Sequence, residues 1–218
     1  METTNKDSSL QLDVALIVAQ DFLGNIGWNN QLLWRCKEDM QWFREKTTGH
    51  VVVMGRKTFE SMMSKPLKNR VNIVISSTLE QPEDNSYYVV PSPAAAVAKY
   101  VDLLLKEGQK TLFVIGGGKI YKELAVLCTT LYRTLFHVSC IGDTKLQDLD
   151  VLGTGSWVVS FKQTKQLDVQ FTPGVQYRKS SIDEYRLATV DSPKEVVNVT
   201  FTVDTAAPVA PTIVYPTT

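Results

Sequence analysis

Cysteine and histidine are scarce in these 218 residues. Three cysteines (Cys36, Cys128, Cys140) lie far apart, without a CxxC pair, and only His50 and His137 accompany them. That set offers neither a disulfide framework nor a zinc spacing, so no metal site is expected and a reducing, cytoplasmic setting fits. An excess of charge is also missing. Lys and Arg total 23 and Asp and Glu total 23, so no electrostatic footprint for nucleic acid or an acidic membrane exists. Long apolar runs are lacking too. The longest, VALIVA (14–19), is far too short to cross a bilayer, and the polar start METTNKDSSLQ is not a signal peptide. Nucleic-acid binding, membrane insertion and metal chemistry are thereby set aside.

What is present is a run of short apolar segments alternating with amphipathic ones. VALIVA, VVVM (51–54), VNIVIS (71–76), the LFVI of TLFVIGGGKIYKELAV (111–126) and LYRTLFHVS (131–139) read as buried strands. CKEDMQWFREKTTG (36–49), KTFESMM (57–63) and PAAAVAKYVDLLLKEG (93–108) read as helices; the last opens on Pro and closes on Gly. The alternation predicts an α/β fold: a mostly parallel central sheet flanked by helices. From about residue 156 the helices stop, and an antiparallel C-terminal hairpin at the sheet edge is expected. Residues 1–11 read as a disordered leader and 12–189 as the one folded domain. Residues 190–218 read as an extension: Val197, Val199, Phe201 and Val203 alternate with polar residues as in an extra strand, before a mobile Pro-rich tail.

Three stretches are candidates for chemistry. GRKT (55–58) follows a strand and opens a helix, where cations and a hydroxyl suit an anion or simply solvate a helix start. Gly116–Gly117–Gly118 lies at an equivalent turn. It is neither a Walker A loop nor GxGxxG, and an unliganded tight turn is the competing reading. Two such turns in one sheet, with QDFLGNIGWNNQ (20–31) after a third strand, outline a crevice at the carboxyl ends of strands. Asp39 falls on one helix face with Phe43. It is either a first-turn acid favoured by the helix dipole or a poorly solvated pocket carboxylate.

Taken in order, ALIVAQDFLGNIGWNNQLLW, KEDMQWFREKTTGHVVVMGRKTFES, PLKNRVNIVISS, VIGGGKIYKEL and LYRTLFHVSCIGDT resemble the dihydrofolate reductase family over roughly residues 12–186. The resemblance implies reduction of 7,8-dihydrofolate to tetrahydrofolate with NADPH, on a chain that acts as a monomer and binds antifolate inhibitors. It implies that Asp39 grips the pterin and that Trp34 anchors a water in the loop over the site. Ile17, Val18 and Ala19 lie beside the pterin; Met40, Phe43, Met62 and Leu67 form apolar walls. Arg70 pairs with the glutamate tail, and Thr134 supports the carboxylate. Ile115 and Tyr121 pack near the nicotinamide, and Tyr121 joins Asp39 and Trp34 as the catalytic set. On the cofactor side it implies Gly55, Arg56, Lys57 and Thr58 at phosphate, and Ser76, Ser77 and Lys119 near the adenosine and its extra phosphate. The remaining cofactor contacts are Ala19, Ile26, Gly27, Gly116, Gly117, Gly118 and Ile120, with Gly116–Gly117 joined by a cis peptide. A related pyrimidine reductase, or a non-enzymatic relative that kept the fold, are the alternatives. The C-terminal extension is a candidate protein-contact segment.

Overall fold

The computed structural model describes residues 12–108, 110–146, 157–167, 170–179 and 194–203. The expected leader at 1–11 and the Pro-rich tail from 204 lie outside them. The chain opens with β1 (Val14–Asp21), β2 (Asn25–Gly27) and β3 (Trp34–Arg35), then α1 (Lys37–Thr47), β4 (Val51–Gly55) and α2 (Arg56–Ser61). Next come β5 (Val71–Ile75), β6 (Tyr88–Val90), α3 (Pro93–Glu107), β7 (Leu112–Val114) and α4 (Gly118–Leu124). The remainder is β8 (Thr130–Phe136), β9 (Val138–Cys140), β10 (Thr144–Lys145), β11 (Trp157–Leu167), β12 (Gln170–Phe171), β13 (Tyr177–Lys179) and β14 (Lys194–Val203).

Eight strands form one sheet in the order β11-β14-β8-β1-β7-β4-β5-β6, and every neighbouring pair is parallel. Among the described residues antiparallel pairing is found in small ladders, β10 on β2, β12 on β3 and β13 on β9, and in the single bridge Trp28–Gln31. The central strands are apolar on both faces because helices cover both. Val14, Leu16, Val51, Val53, Ile73 and Val114 pack with Ala96, Tyr100 and Leu103 of α3 on one side. Ala15, Ile17, Val52, Met54, Val74 and Phe113 pack with Phe59 of α2 and Trp42 and Phe43 of α1 on the other.

The helix ends follow local chemistry. Ser92 caps α3, its Oγ accepting from the Ala95 N–H at 3.2 Å, and Gly108 ends it at φ 85°, where a side chain is disfavoured. α2 and α4 begin directly after the glycines that close β4 and follow β7. The carboxyl ends of β1, β4, β5 and β7 therefore meet at one side of the sheet. Among the described residues no helix is long and apolar enough to cross a membrane.

Candidate functional site

A cavity of about 600 Å³ opens where those strand ends converge. Its lining brings together Ala19, Ile26, Gly27, Gly55, Arg56, Lys57, Thr58, Ser76, Ser77, Ile115, Gly116, Gly117, Gly118, Lys119, Ile120 and Tyr121, all the residues assigned above to a cofactor. The turn after β4 and the turn after β7 touch directly: the Gly55 N–H donates to the Gly116 carbonyl at 2.8 Å. Glycine keeps that approach uncrowded. A Cβ on Gly55 would stand 3.1 Å from Ile120 Cγ1, and one on Gly117 would stand 3.2 Å from Thr58 Oγ1. Gly116 has φ 127°, and its bond to Gly117 is cis.

The cations at this cavity are exposed. Arg56 is paired at 2.5 Å with Glu60 on the next turn of α2, and Lys119 lies 3.7 Å from Glu123 with its side chain 84% exposed. Such pairs between solvated groups contribute little to folding. Ser76 has a local task as well: its Oγ accepts from the N–H groups of Thr78 and Leu79 at 3.1 and 2.9 Å, which fixes the turn after β5.

Beside this cavity lies a second, more apolar region. Ile17, Phe43, Met62, Leu67 and Ile115 gather on one face of the sheet with Trp42 and Tyr132. Ile115 adjoins both regions, since it also lines the cavity, as do Val18 and Ala19 from the neighbouring strand β1. Asp39 on α1 sits among these groups. Its Oδ1 accepts the hydroxyl of Thr134, on β8 and buried, at 2.7 Å. Asp39 is half-buried, and its carboxyl group is largely desolvated. That desolvation pushes its pKa up to about 6, against the opposing pull of the Thr134 hydrogen bond. The pocket-carboxylate reading of Asp39 therefore describes the geometry better than the solvated first-turn reading.

Tyr121 is buried at the join between the two regions and donates its hydroxyl to the Ile17 carbonyl at 2.8 Å. Burial first, and then the charge of Asp39, push its pKa upward, so it is a neutral phenol whose proton is committed to the backbone. Trp34 is buried against Phe136, with ring centroids 4.3 Å apart. Met40, next to Asp39 on α1, is 43% exposed.

Arg70 is placed by three contacts, two of them from α1. Its Nη1 donates to Thr47 Oγ1 at 3.0 Å, its Nε donates to the Lys68 carbonyl at 3.0 Å, and its guanidinium lies 6.0 Å from the Phe43 ring centre. Buried Asn72 clamps the turn that carries Leu67 and Arg70. Its side chain accepts from the Leu67 N–H at 2.9 Å and donates to the carbonyls of Leu67 and Arg70 at 2.9 and 3.0 Å.

Several participants were missed from sequence. Thr144, Ser61, Pro91, Pro93 and Glu123 also line the cavity. Thr47 and Asn72 hold site residues without reaching the cavity. For Thr144 a signal existed in the GDT of LFHVSCIGDT; for Thr47 and Asn72 no local pattern distinguishes them from solvated polar residues. Among the described residues no group of three or more His, Cys, Asp or Glu side chains is placed to hold a metal ion.

A family model described as dihydrofolate reductase matches residues 13–179. The chain is 43% identical over 121 residues to a bifunctional dihydrofolate reductase-thymidylate synthase of Paramecium tetraurelia, covering 56% of this chain but 23% of that protein. It is 33% identical over 156 residues to the dihydrofolate reductase of Haemophilus influenzae, covering 72% of this chain and 90% of that one. Among solved structures it is similar to dihydrofolate reductase from Enterococcus faecalis complexed with NADP(H) and RAB-propyl. The TM-score there is 0.56 and the identity 35%, with 63% of this chain and 79% of that chain covered.

Proposed function

Because the chain belongs to the dihydrofolate reductase family, we propose that it reduces 7,8-dihydrofolate to 5,6,7,8-tetrahydrofolate with NADPH, supplying one-carbon carriers for thymidylate and purine synthesis. The single observation that carries this reading is the Asp39–Thr134 pair, set in an apolar recess beside a cavity rimmed by Arg56, Lys57 and Lys119. A carboxylate in a recess recognises a flat ring bearing N–H donors, and a cationic rim recognises phosphate.

The cavity residues fit a phosphorylated dinucleotide. Gly55, Gly116 and Gly117 leave the backbone open to close approach, Thr58 offers a hydroxyl, and Arg56 with Lys119 favours NADPH over NADH by charge. When bound, NADPH supplies the hydride for the substrate's C=N carbon. The protein's own part is alignment. Ile17, Val18, Ala19, Phe43, Met62, Leu67 and Ile115 hold the pterin and aminobenzoyl rings, and Arg70 takes the glutamate carboxylate through the donors that Thr47 and Lys68 leave open. Asp39 fixes and polarises the pterin. Water admitted beside Leu32, above Trp34, gives the proton to the adjacent nitrogen, which balances the hydride. Tyr121 holds the strand end at Ile17 and donates no proton to substrate.

The same reading makes the protein a target for antifolates that offer ring N–H donors to Asp39. It works as a cytoplasmic monomer whose reductase domain spans 12–189, with 190–218 as an extension able to contact another protein. The test is the loss of NADPH absorbance on mixing with dihydrofolate, with NADH run in parallel. Fast turnover with NADPH alone supports the assignment; NADPH binding without turnover on dihydrofolate overturns the substrate.

A further inference from the structure

The loop that follows β1 is rooted in a buried polar cluster that the reduction chemistry does not use. Asp21, at the end of β1, is 0% exposed, yet its carboxylate accepts four hydrogen bonds. Oδ1 takes the N–H groups of Leu23 at 2.8 Å and Asn25 at 2.7 Å; Oδ2 takes Asn25 Nδ2 at 2.8 Å and the Cys140 N–H at 2.6 Å. Asn25 is 2% exposed, and its Nδ2 also donates to the Cys140 carbonyl at 2.9 Å. One side chain therefore joins β1, β2 and β9. Gly142 closes the cluster from outside: a Cβ there would stand 2.9 Å from both Asn25 Cβ and the Gly27 carbonyl.

This cluster lies beneath a functional wall. The two residues after Asn25, Ile26 and Gly27, line the cofactor cavity. Gly27 is further tied by the Asp143 N–H, which donates to its carbonyl at 3.1 Å, and by pairing with Thr144. A buried carboxylate is stable only when its donors are complete, so the cluster is either intact or broken rather than graded. Asn25 Oδ1 and Gln20 Oε1, on either side of Asp21 in sequence, have no hydrogen-bond partner among the described residues. Buried orphans of this kind are tolerated where a site requires the arrangement.

We propose that Asp21 and Asn25 are positioning residues: a buried clasp, completed by the Cys140 backbone, that sets where Ile26 and Gly27 stand against the cofactor and so sets affinity for NADPH. The clasp rests on the cofactor assignment made above. It touches neither Asp39 nor Arg70, so its influence is confined to the cofactor half of the site.

Two variants reach it by different chemistry. Asn25→Ala removes the bridging amide. Gly142→Ala keeps every hydrogen-bonding group but pushes a methyl into Asn25 and Gly27. Leu103→Ala, in α3, serves as a variant of comparable destabilisation elsewhere. The expected result is a rise of about tenfold in the NADPH dissociation constant for both clasp variants, with dihydrofolate affinity of the apo-protein within about twofold of wild type. Leu103→Ala should leave the NADPH constant unchanged. Amide hydrogen exchange over 22–31 in the apo-protein should quicken in both clasp variants and not in Leu103→Ala. If Asn25→Ala does not fold, Gly142→Ala alone decides. An unchanged NADPH constant in the folded clasp variants, or an equal rise in Leu103→Ala, overturns the clasp. Wild-type protein that binds no NADPH overturns the cofactor assignment instead, and hydrogen exchange then still decides whether the clasp holds the loop.

Discussion

The two halves of the cleft are built on opposite plans. In the substrate half each polar group is already held: Asp39 by Thr134, Arg70 by Thr47 and the Lys68 carbonyl, and the turn beneath by Asn72. In the cofactor half the shape is set by glycine contacts, while the charges stand in solvent, Arg56 beside Glu60 and Lys119 beside Glu123. The difference teaches where selectivity comes from. A buried, pre-paired group discriminates by geometry and costs stability; an exposed cation attracts by charge and costs almost nothing.

Breaking the substrate half should have the largest effect. Asp39→Asn keeps an acceptor for Thr134 but removes the charge, and hydride transfer at pH 7 should fall on the order of 10²–10³-fold. The same substitution should stabilise the apo-protein. Because burial raises the pKa of Asp39 to about 6 from 3.8, stability is fully present below the unfolded value and is lost as pH rises through the folded one. At pH 7 the penalty is roughly 1–3 kcal/mol. Chemical denaturation of the two proteins at pH 7 and pH 4 checks this: the gain should appear at pH 7 and vanish at pH 4.

Removing the cationic rim comes next. Arg56→Ala with Lys119→Ala should raise KM for NADPH by about 10–100-fold while leaving KM for NADH nearly unchanged, as read from parallel steady-state assays. Thr47→Val, which leaves Arg70 without one of its two hydrogen-bonded anchors, should raise KM for dihydrofolate about tenfold and leave KM for NADPH alone. Thr47→Ser should restore it, and a dihydropteridine lacking the glutamate tail should not sense the change. Wild-type affinity for dihydrofolate should fall as pH drops from 7 to 5, because Asp39 loses its charge near 6, and Asp39→Asn should lack that break. The smallest effect belongs to Glu60→Gln: freeing Arg56 from its surface pair should tighten NADPH by only about two- to threefold in a binding titration.

Much of this is legible in the amino-acid sequence. VALIVA, VVVM and VNIVIS announce buried parallel strands, and the Gly-bearing turns after β4 and β7 announce a crevice, since strand length and punctuation are local properties. Asp39 alone was ambiguous between helix dipole and pocket. Its resolving partner, Thr134, is 95 residues away, and only the β1–β8 pairing brings it near. Asp21 and Asn25 sit in a stretch with Gly and Asn at loop density, yet both are buried, with the Cys140 backbone of β9, 119 residues beyond Asp21, completing the cluster. The exposure of Met40 was equally hidden. Met40 neighbours Asp39 on α1, yet it is 43% exposed. Burial set by distant pairing is what a local reading does not contain.

The contrast between the two halves is tested most directly by salt. Dissociation constants for NADPH and for a dihydropteridine without the glutamate tail would be measured between about 0.05 and 0.5 M salt, across which exposed charges are progressively screened. The account predicts that the NADPH constant rises severalfold while the dihydropteridine constant stays within about twofold. A pteridine constant that rises in step with that of NADPH, or an NADPH constant indifferent to salt, would contradict it.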